Sequence, residues 1–287
     1  MTKTGLNQLA SVSKLKKGIL DEPQAISLIE NVSMALNIDK NNLKALIIRE
    51  SNGVPNIHES NGIQKKTSAK GVMQLTDRVF DDMNTNDERG RGKWFYQDNF
   101  KKIGDNLLLK LSHIKDSRTD IQGLVSVIKN LKSTSKGKEF NLGISKLKNI
   151  VVKEFKEGGY IANILLGSIY LDAMKDSGKK LEEKPKIEKE LSLINIDQIN
   201  PLLKSKKFKP VDQKILESFK NDLLKNSSKY DIFYQLYMYN GEDSKSSGAE
   251  HRILYALAIM LSSEQIREKT GNKLAMLHGE LGNTLVA

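Results

Sequence analysis

Cysteine is absent from this sequence of 287 residues, and its absence excludes several kinds of chemistry. Without thiols the chain has no cysteine nucleophile, no thiolate ligand for a metal and no disulfide framework. Any catalysis must therefore rest on oxygen and imidazole groups. A chain of this length can bury a hydrophobic core without such supports, so we expect a folded protein.

Long hydrophobic runs are also missing. Residues 1–20 contain lysines but no apolar core of the length that a secretory signal requires. Apolar runs elsewhere, such as residues 253–261, fall short of the roughly 20 residues that span a bilayer. We expect no transmembrane helix and no signal peptide, so an extracytoplasmic role would need delivery by other machinery.

Aromatic residues are scarce, at 6% with a single tryptophan, whereas positive charge is abundant. The 46 Lys and Arg outnumber the 35 Asp and Glu, which gives a net charge of +11. Such a surface attracts polyanions, among them nucleic acid and the anionic bacterial cell wall. Few aromatics accompany the lysine clusters of residues 130–156 and 175–229, so bases would find little to stack on. The composition therefore argues against a nucleic-acid partner.

Apolar residues recur at helical spacing, and no sustained apolar and polar alternation is bounded by hairpin turns. The pattern predicts an all-α fold. One helix is expected to start at Pro23, and its apolar face consists of Ile26, Ile29, Val32 and Leu36. A second is expected to follow Asp39 as its cap and to stop at the sequence Ser51-Asn52-Gly53.

The second predicted helix places Glu50 at its carboxyl end. The negative end of the helix dipole and burial on a mostly apolar helix both favour a protonated carboxyl, as a general acid requires. A solvent-exposed glutamate at a helix end is the alternative interpretation, and this helix alone does not distinguish the two.

Four short sequence blocks occur in order along the chain. They are Glu50-Ser51; Gly71-Val72-Met73-Gln74; Asn163-Ile164 with Gly167, Tyr170 and Leu171; and Met238-Tyr239-Asn240-Gly241 with Glu250 and Tyr255. Their combination resembles the lytic transglycosylase family, in which a Glu-Ser pair ends a helix and similar blocks follow. The last block departs from the family pattern, because Met238 replaces an alanine and one residue is missing before the glycine.

The family spaces these blocks closely, whereas two long segments separate them in this chain. The resemblance therefore implies a lysozyme-like helical core with two helical insertions. The expected organisation is 1–81 with the N-terminal helices and the glutamate block, 82–157 as an insertion, 158–177 as a core helix, 178–228 as a lysine-rich insertion, and 229–287 as the C-terminal part of the core.

The resemblance implies cleavage of peptidoglycan glycan strands by Glu50 as the single acid/base, without a metal or a cofactor. The product would be a 1,6-anhydro-N-acetylmuramoyl end. Ser51 and Gln74 would hydrogen-bond near the acid and the sugar, and the hydroxyl of Tyr239 would face the carboxyl of Glu50. The remaining expected substrate-binding residues are Met73 on the cleft floor, Asn163 and Asn240. Asn163 would contact an N-acetyl group or, alternatively, form a helix cap or an interhelical hydrogen bond.

Two other functions stay open from the sequence. The first is a hydrolase similar to goose-type lysozyme, in which Asp77, Asp81 or Asp82 would position a water molecule. The second is a non-catalytic basic binding protein built on a lysozyme-like core. For the enzyme, we expect action at the bacterial cell wall or in the periplasm, with a phage particle or a secretion apparatus as the carrier.

Overall fold

The computed structural model describes residues 18–55, 69–84, 93–134, 137–176, 180–239 and 248–284. Within these ranges the chain forms thirteen α-helices and two short 3-10 helices, and its only strand-like feature is one isolated bridge. The all-α prediction is confirmed. The helices are α1 (Pro23–Leu36), α2 (Lys40–Ser51), α3 (Asp77–Asn84), α4 (Lys93–Lys102), α5 (Asp105–Ser112), α6 (Ile121–Ser133), α7 (Lys138–Glu157), α8 (Ile161–Ala173), α9 (Lys180–Leu193), α10 (Ile196–Ser205), α11 (Gln213–Lys225), α12 (Ser227–Tyr239) and α13 (Ala249–Thr284).

Local sequence signals explain the bounds of the first two helices. Pro23 opens α1, where its fixed φ suits the first turn and its missing N–H costs nothing. The side chain of Asp39 caps α2 by accepting two backbone N–H groups at 2.7 and 3.2 Å. After Ser51 the helix stops, because Asn52 and Gly53 adopt positive φ angles of 54° and 73°. The predicted acid therefore lies in the last turn of α2.

Helix α8 forms the centre of the molecule, since all thirteen of its residues are buried. A helix that is apolar around its whole circumference is stable only inside a core. It packs against α1, α4, α7 and α12, while α13 packs along α2 and α12. This arrangement brings α2, α8, α12 and α13, which are distant in sequence, into one region.

The two segments predicted as insertions are helical where the structure describes them. The first contains α4 to α7, and the second contains α9 to α11. Helix α3 spans residue 82, so the expected start of the first insertion does not coincide with a helix boundary. Each described helix is too short or too polar to cross a lipid bilayer.

The amino terminus of α8 is capped by a buried glutamate from the preceding helix. The carboxylate of Glu154 accepts backbone N–H groups of Ala162 and Asn163 at 2.7 and 2.8 Å, and the hydroxyl of Thr119 at 2.6 Å. Its side chain is almost fully buried. Burial raises the pKa of Glu154 to about 7, although the three hydrogen bonds favour the ionised form.

We expect the buried carboxyl of Glu154 to make folding stability depend on pH. Between about pH 4.5 and 7 the unfolded chain releases this proton while the folded chain retains it, so the free energy of unfolding falls as the pH rises. The raised pKa of Glu154 should account for a fall on the order of 3 kcal/mol in the free energy of unfolding. Urea unfolding at pH 5 and at pH 8 measures this change. The free energy of unfolding should fall less between the two pH values for Glu154→Gln than for the wild type. Glu157→Gln, at an exposed position on the same helix, is the control, and equal falls in all three proteins would contradict the assignment.

Candidate active site

Glu50 lies in the last turn of α2 and is partly buried. Tyr255, on α13, donates a hydrogen bond from its hydroxyl to Oε1 of Glu50, although 205 positions separate the two residues in sequence. The packing of α13 against α2 creates this contact. A phenol donor fixes the orientation of the carboxyl, which is a requirement for directional proton transfer.

A second tyrosine lies close to the same carboxyl. Tyr239, at the end of α12, donates its hydroxyl to the backbone carbonyl of Met73 at 2.8 Å. Its ring meets Tyr170 edge to face, with 5.5 Å between ring centroids. Burial raises the pKa of both Tyr239 and Tyr255 well above 10, and the negative charge of Glu50 raises each further. Both hydroxyls therefore stay protonated and act as donors.

The positions of the two phenols correct one expectation. Tyr239 was expected to face the carboxyl of Glu50, and the charge of Glu50 does raise the pKa of Tyr239 in addition to the effect of burial. Its hydrogen bond nevertheless goes to Met73, and Tyr255 is the tyrosine that donates to the acid. The sequence motif located both residues, and the hydrogen bond to Glu50 comes from Tyr255.

The Gly71 to Gln74 block forms a tight turn beside Glu50. The backbone groups of Lys70 and Leu75 close the turn with two hydrogen bonds of 2.9 Å. Gly71 and Gln74 have positive φ angles of 76° and 52°, and Nε2 of Gln74 donates to the carbonyl of Gly71 at 2.6 Å. Positive φ at two positions is what reverses the chain here.

Ser51 connects this turn to α2. Its hydroxyl donates to the carbonyl of Val72 at 2.9 Å and accepts the backbone N–H of Gly53 at 3.1 Å. Because Ser51 follows Glu50 directly, these bonds fix the turn relative to the acid. The Ser51 side chain is fully buried, so it connects the turn to α2 and is closed to a ligand from outside.

Asn163, on the buried helix α8, holds the opposite side of the turn. Its Oδ1 accepts the backbone N–H of Met73 at 2.7 Å, and its Nδ2 donates to the carbonyl of Lys70 at 2.8 Å. Only 1% of the residue is exposed. The expected N-acetyl contact is therefore replaced by the alternative, an internal hydrogen bond that orders the site.

Two glycines permit this close approach of α8 to the turn. A Cβ atom at Gly71 would lie 2.3 Å from the side-chain amide of Asn163, and one at Gly167 would lie 2.5 Å from the sulfur of Met73. Neither backbone leaves room for a larger residue. Met73 is fully buried against α8, so its side chain does not line a cleft as expected. Its backbone carbonyl accepts the hydrogen bond from Tyr239.

Of the expected substrate-binding residues, Gln74 and Tyr239 are partly exposed. Asn240 lies outside the described residues. The described residues contain no cluster of three or more His, Asp or Glu side chains suited to a metal ion.

A comparison of the chain with protein-family models, curated proteins and solved structures finds no match. The family resemblance therefore depends on the motif residues alone.

Two basic residues near the acid were not predicted from the sequence. Arg49 donates from Nη1 to the carbonyl of Leu202, in the last turn of α10, at 3.2 Å. Lys206, directly after α10, is partly buried, and burial lowers its pKa. The charge of Arg49 lowers that pKa further, while the charge of Glu50 raises it. The lysine run was visible in the sequence, but its closeness to Glu50 depends on how α10 packs.

We expect Asn163→Ala to destabilise the fold by about 3 kcal/mol, because it leaves a buried N–H and a buried carbonyl of the turn without their partners. Chemical denaturation measures this directly. Asn141→Ala, at an exposed position on α7, should change the free energy of unfolding by less than about 0.5 kcal/mol. If both variants are equally stable, the hydrogen bonds of Asn163 do not stabilise the fold, and the expected contact with a ligand would again be the preferred interpretation.

Proposed function

We propose that this protein cleaves peptidoglycan glycan strands as a lytic transglycosylase, with Glu50 as its acid and base. One observation carries the proposal: a carboxyl held by Tyr255 lies where all four sequence blocks meet in space. Chance resemblance gives no reason for residues 50, 73, 163 and 239 to converge. Each block contributes at least one hydrogen bond to the group of contacts around the carboxyl of Glu50.

The proposed reaction needs only one carboxyl. Glu50 donates its proton to the glycosidic oxygen, and the bond between that oxygen and the anomeric carbon of the muramoyl sugar breaks. The N-acetyl oxygen of the same sugar stabilises the positive charge at that carbon. The sugar's C6 hydroxyl then attacks the carbon, and its proton returns to Glu50. Atoms balance without water, and the product is a 1,6-anhydro end.

The surrounding residues support this cycle by keeping the carboxyl in place. Tyr255 donates to Glu50, and its raised pKa keeps the hydroxyl protonated throughout. Ser51 and Asn163 fix the turn that carries Gln74, whose partly exposed side chain is available for sugar hydroxyls. Action at the bacterial cell wall, after delivery by a phage particle or a secretion apparatus, is part of the same proposal.

The hydrolase alternative requires a second carboxylate that activates water. Asp77 forms ion pairs with Lys70 and Lys148, each at 3.2 Å. Partial burial would raise its pKa, but the hydrogen bonds from both lysines outweigh burial and lower it. Asp82 pairs with Arg78 at 3.7 Å. These ion pairs favour structural roles for Asp77 and Asp82, and Asp81 stays the remaining candidate for the hydrolase.

Digestion of purified murein in oxygen-18 water tests the proposed reaction. We expect mass spectrometry of the fragments to show 1,6-anhydro ends without the heavy isotope. Glu50→Gln should give no fragments while melting like the wild type, because an amide keeps the shape but cannot transfer the proton. Reducing ends that carry oxygen-18 would identify a hydrolase. No cleavage by the wild type, combined with salt-dependent binding to DNA, would favour a basic binding protein.

Tyr255→Phe should lower kcat about tenfold and leave KM nearly unchanged, because the lost hydrogen bond orients the acid during proton transfer. Tyr239→Phe is the matched control, since it removes the same group from a neighbouring ring whose partner is the carbonyl of Met73. Its effect on kcat should be smaller. Steady-state kinetics with soluble glycan fragments measures kcat and KM for both variants. A larger loss of kcat in Tyr239→Phe than in Tyr255→Phe would indicate that Tyr239 is the tyrosine that orients Glu50.

A further inference from the structure

The last two residues of α10 and the turn that follows them are strongly basic and firmly anchored. We call residues 204–209, Lys-Ser-Lys-Lys-Phe-Lys, the basic turn. The N–H of Phe208 donates to the carbonyl of Leu203 at 3.0 Å, and the Phe208 side chain is buried. The backbone of Lys209 both donates to and accepts from the side chain of Gln265 on α13, each at 2.9 Å. These contacts fix the backbone that carries the four lysines relative to the core.

The basic turn lies beside the candidate acid. Arg49, the neighbour of Glu50 in sequence, donates to the carbonyl of Leu202, which is one of the last carbonyls of α10. Lys206 follows Leu202 by about one helical turn. Burial lowers the pKa of Lys206, the charge of Arg49 lowers it further, and the charge of Glu50 opposes both. The basic turn therefore forms one border of the site.

The positive charges of this border are only partly balanced. The ion pairs between described residues do not include Arg49 or any lysine of the basic turn. Glu50 can balance Arg49 and Lys206 while it is ionised. The first proposed step, however, needs Glu50 protonated, and its charge is then lost. Two neighbouring cations, one of them partly buried, repel each other unless an anion lies between them.

We propose that the basic turn and Arg49 bind the carboxylates of the peptide stem on the glycan strand. This inference rests on the proposed function of Glu50. The stem is attached to the muramoyl sugar whose bond would be broken, so its carboxylates arrive beside the acid with the substrate. Ammonium and guanidinium groups are suitable donors for carboxylates. The protein should therefore prefer strands that carry peptides over bare glycan.

A pair of substrates made from one murein preparation tests this preference. One retains its peptide stems, and the other has lost them to an amidase. We expect the wild type to have a kcat/KM about fivefold higher on the peptide-bearing strands, the effect of one charge pair near the surface. The preference should shrink as salt rises, because ions screen the attraction.

Lys206→Gln should bring the ratio of kcat/KM on the two substrates close to one. Lys204→Gln, at an exposed position of the same turn, provides a second variant that leaves the packing intact and should lower the ratio by a smaller factor. Lys156→Gln, at an exposed position on α7, is the matched control and should keep the wild-type ratio. Thermal melting shows that each variant is folded.

The results separate this inference from the proposed function. A wild-type ratio near one, or an unchanged ratio in both Lys206→Gln and Lys204→Gln, would overturn stem binding while cleavage by Glu50 stands. A wild type that cleaves neither substrate would overturn the proposed function and this inference with it.

Discussion

The amide of Asn163 is the contact on which the candidate site depends. A single side chain on the buried helix α8 accepts from Met73 and donates to Lys70, so it determines the position of both sides of the Gly71 to Gln74 turn. Buried polar groups of a turn are costly unless they are paired, and an asparagine amide supplies one donor and one acceptor at once. The rest of the site is arranged around this turn.

The contacts around the turn form a continuous path from the core to the acid. Glu154 caps the amino terminus of α8 and thereby holds the first turn of that helix, which carries Asn163. Asn163 holds the turn, and Ser51 ties the turn to the residue after Glu50. The path begins at Glu154, whose pKa burial raises to about 7. The hydrogen bonds of this carboxyl are therefore connected, through Asn163 and Ser51, to the position of Glu50.

The sequence was sufficient to predict the helical fold, the ends of the first two helices and the blocks that meet around Glu50. Each of these depends on local signals, such as caps, glycines and helical spacing. The roles within the site were harder to predict, because Ser51, Met73 and Asn163 are buried by helices that are distant in sequence. The choice between Tyr239 and Tyr255 depends on how α12 and α13 are placed against α2, which no local pattern specifies.

The hydrogen bond between Glu50 and Tyr255 joins positions 205 residues apart, and this separation affects how the protein matures. Contacts of long sequence separation form late, because the intervening chain must first be ordered. During synthesis α2 emerges long before α13, so Glu50 lacks the hydroxyl of Tyr255 until the chain has been made as far as α13. A proteolytic fragment that lacks α13 would keep the glutamate but lose the group that orients it. The packing of α13 on α2 thus completes the set of contacts around Glu50.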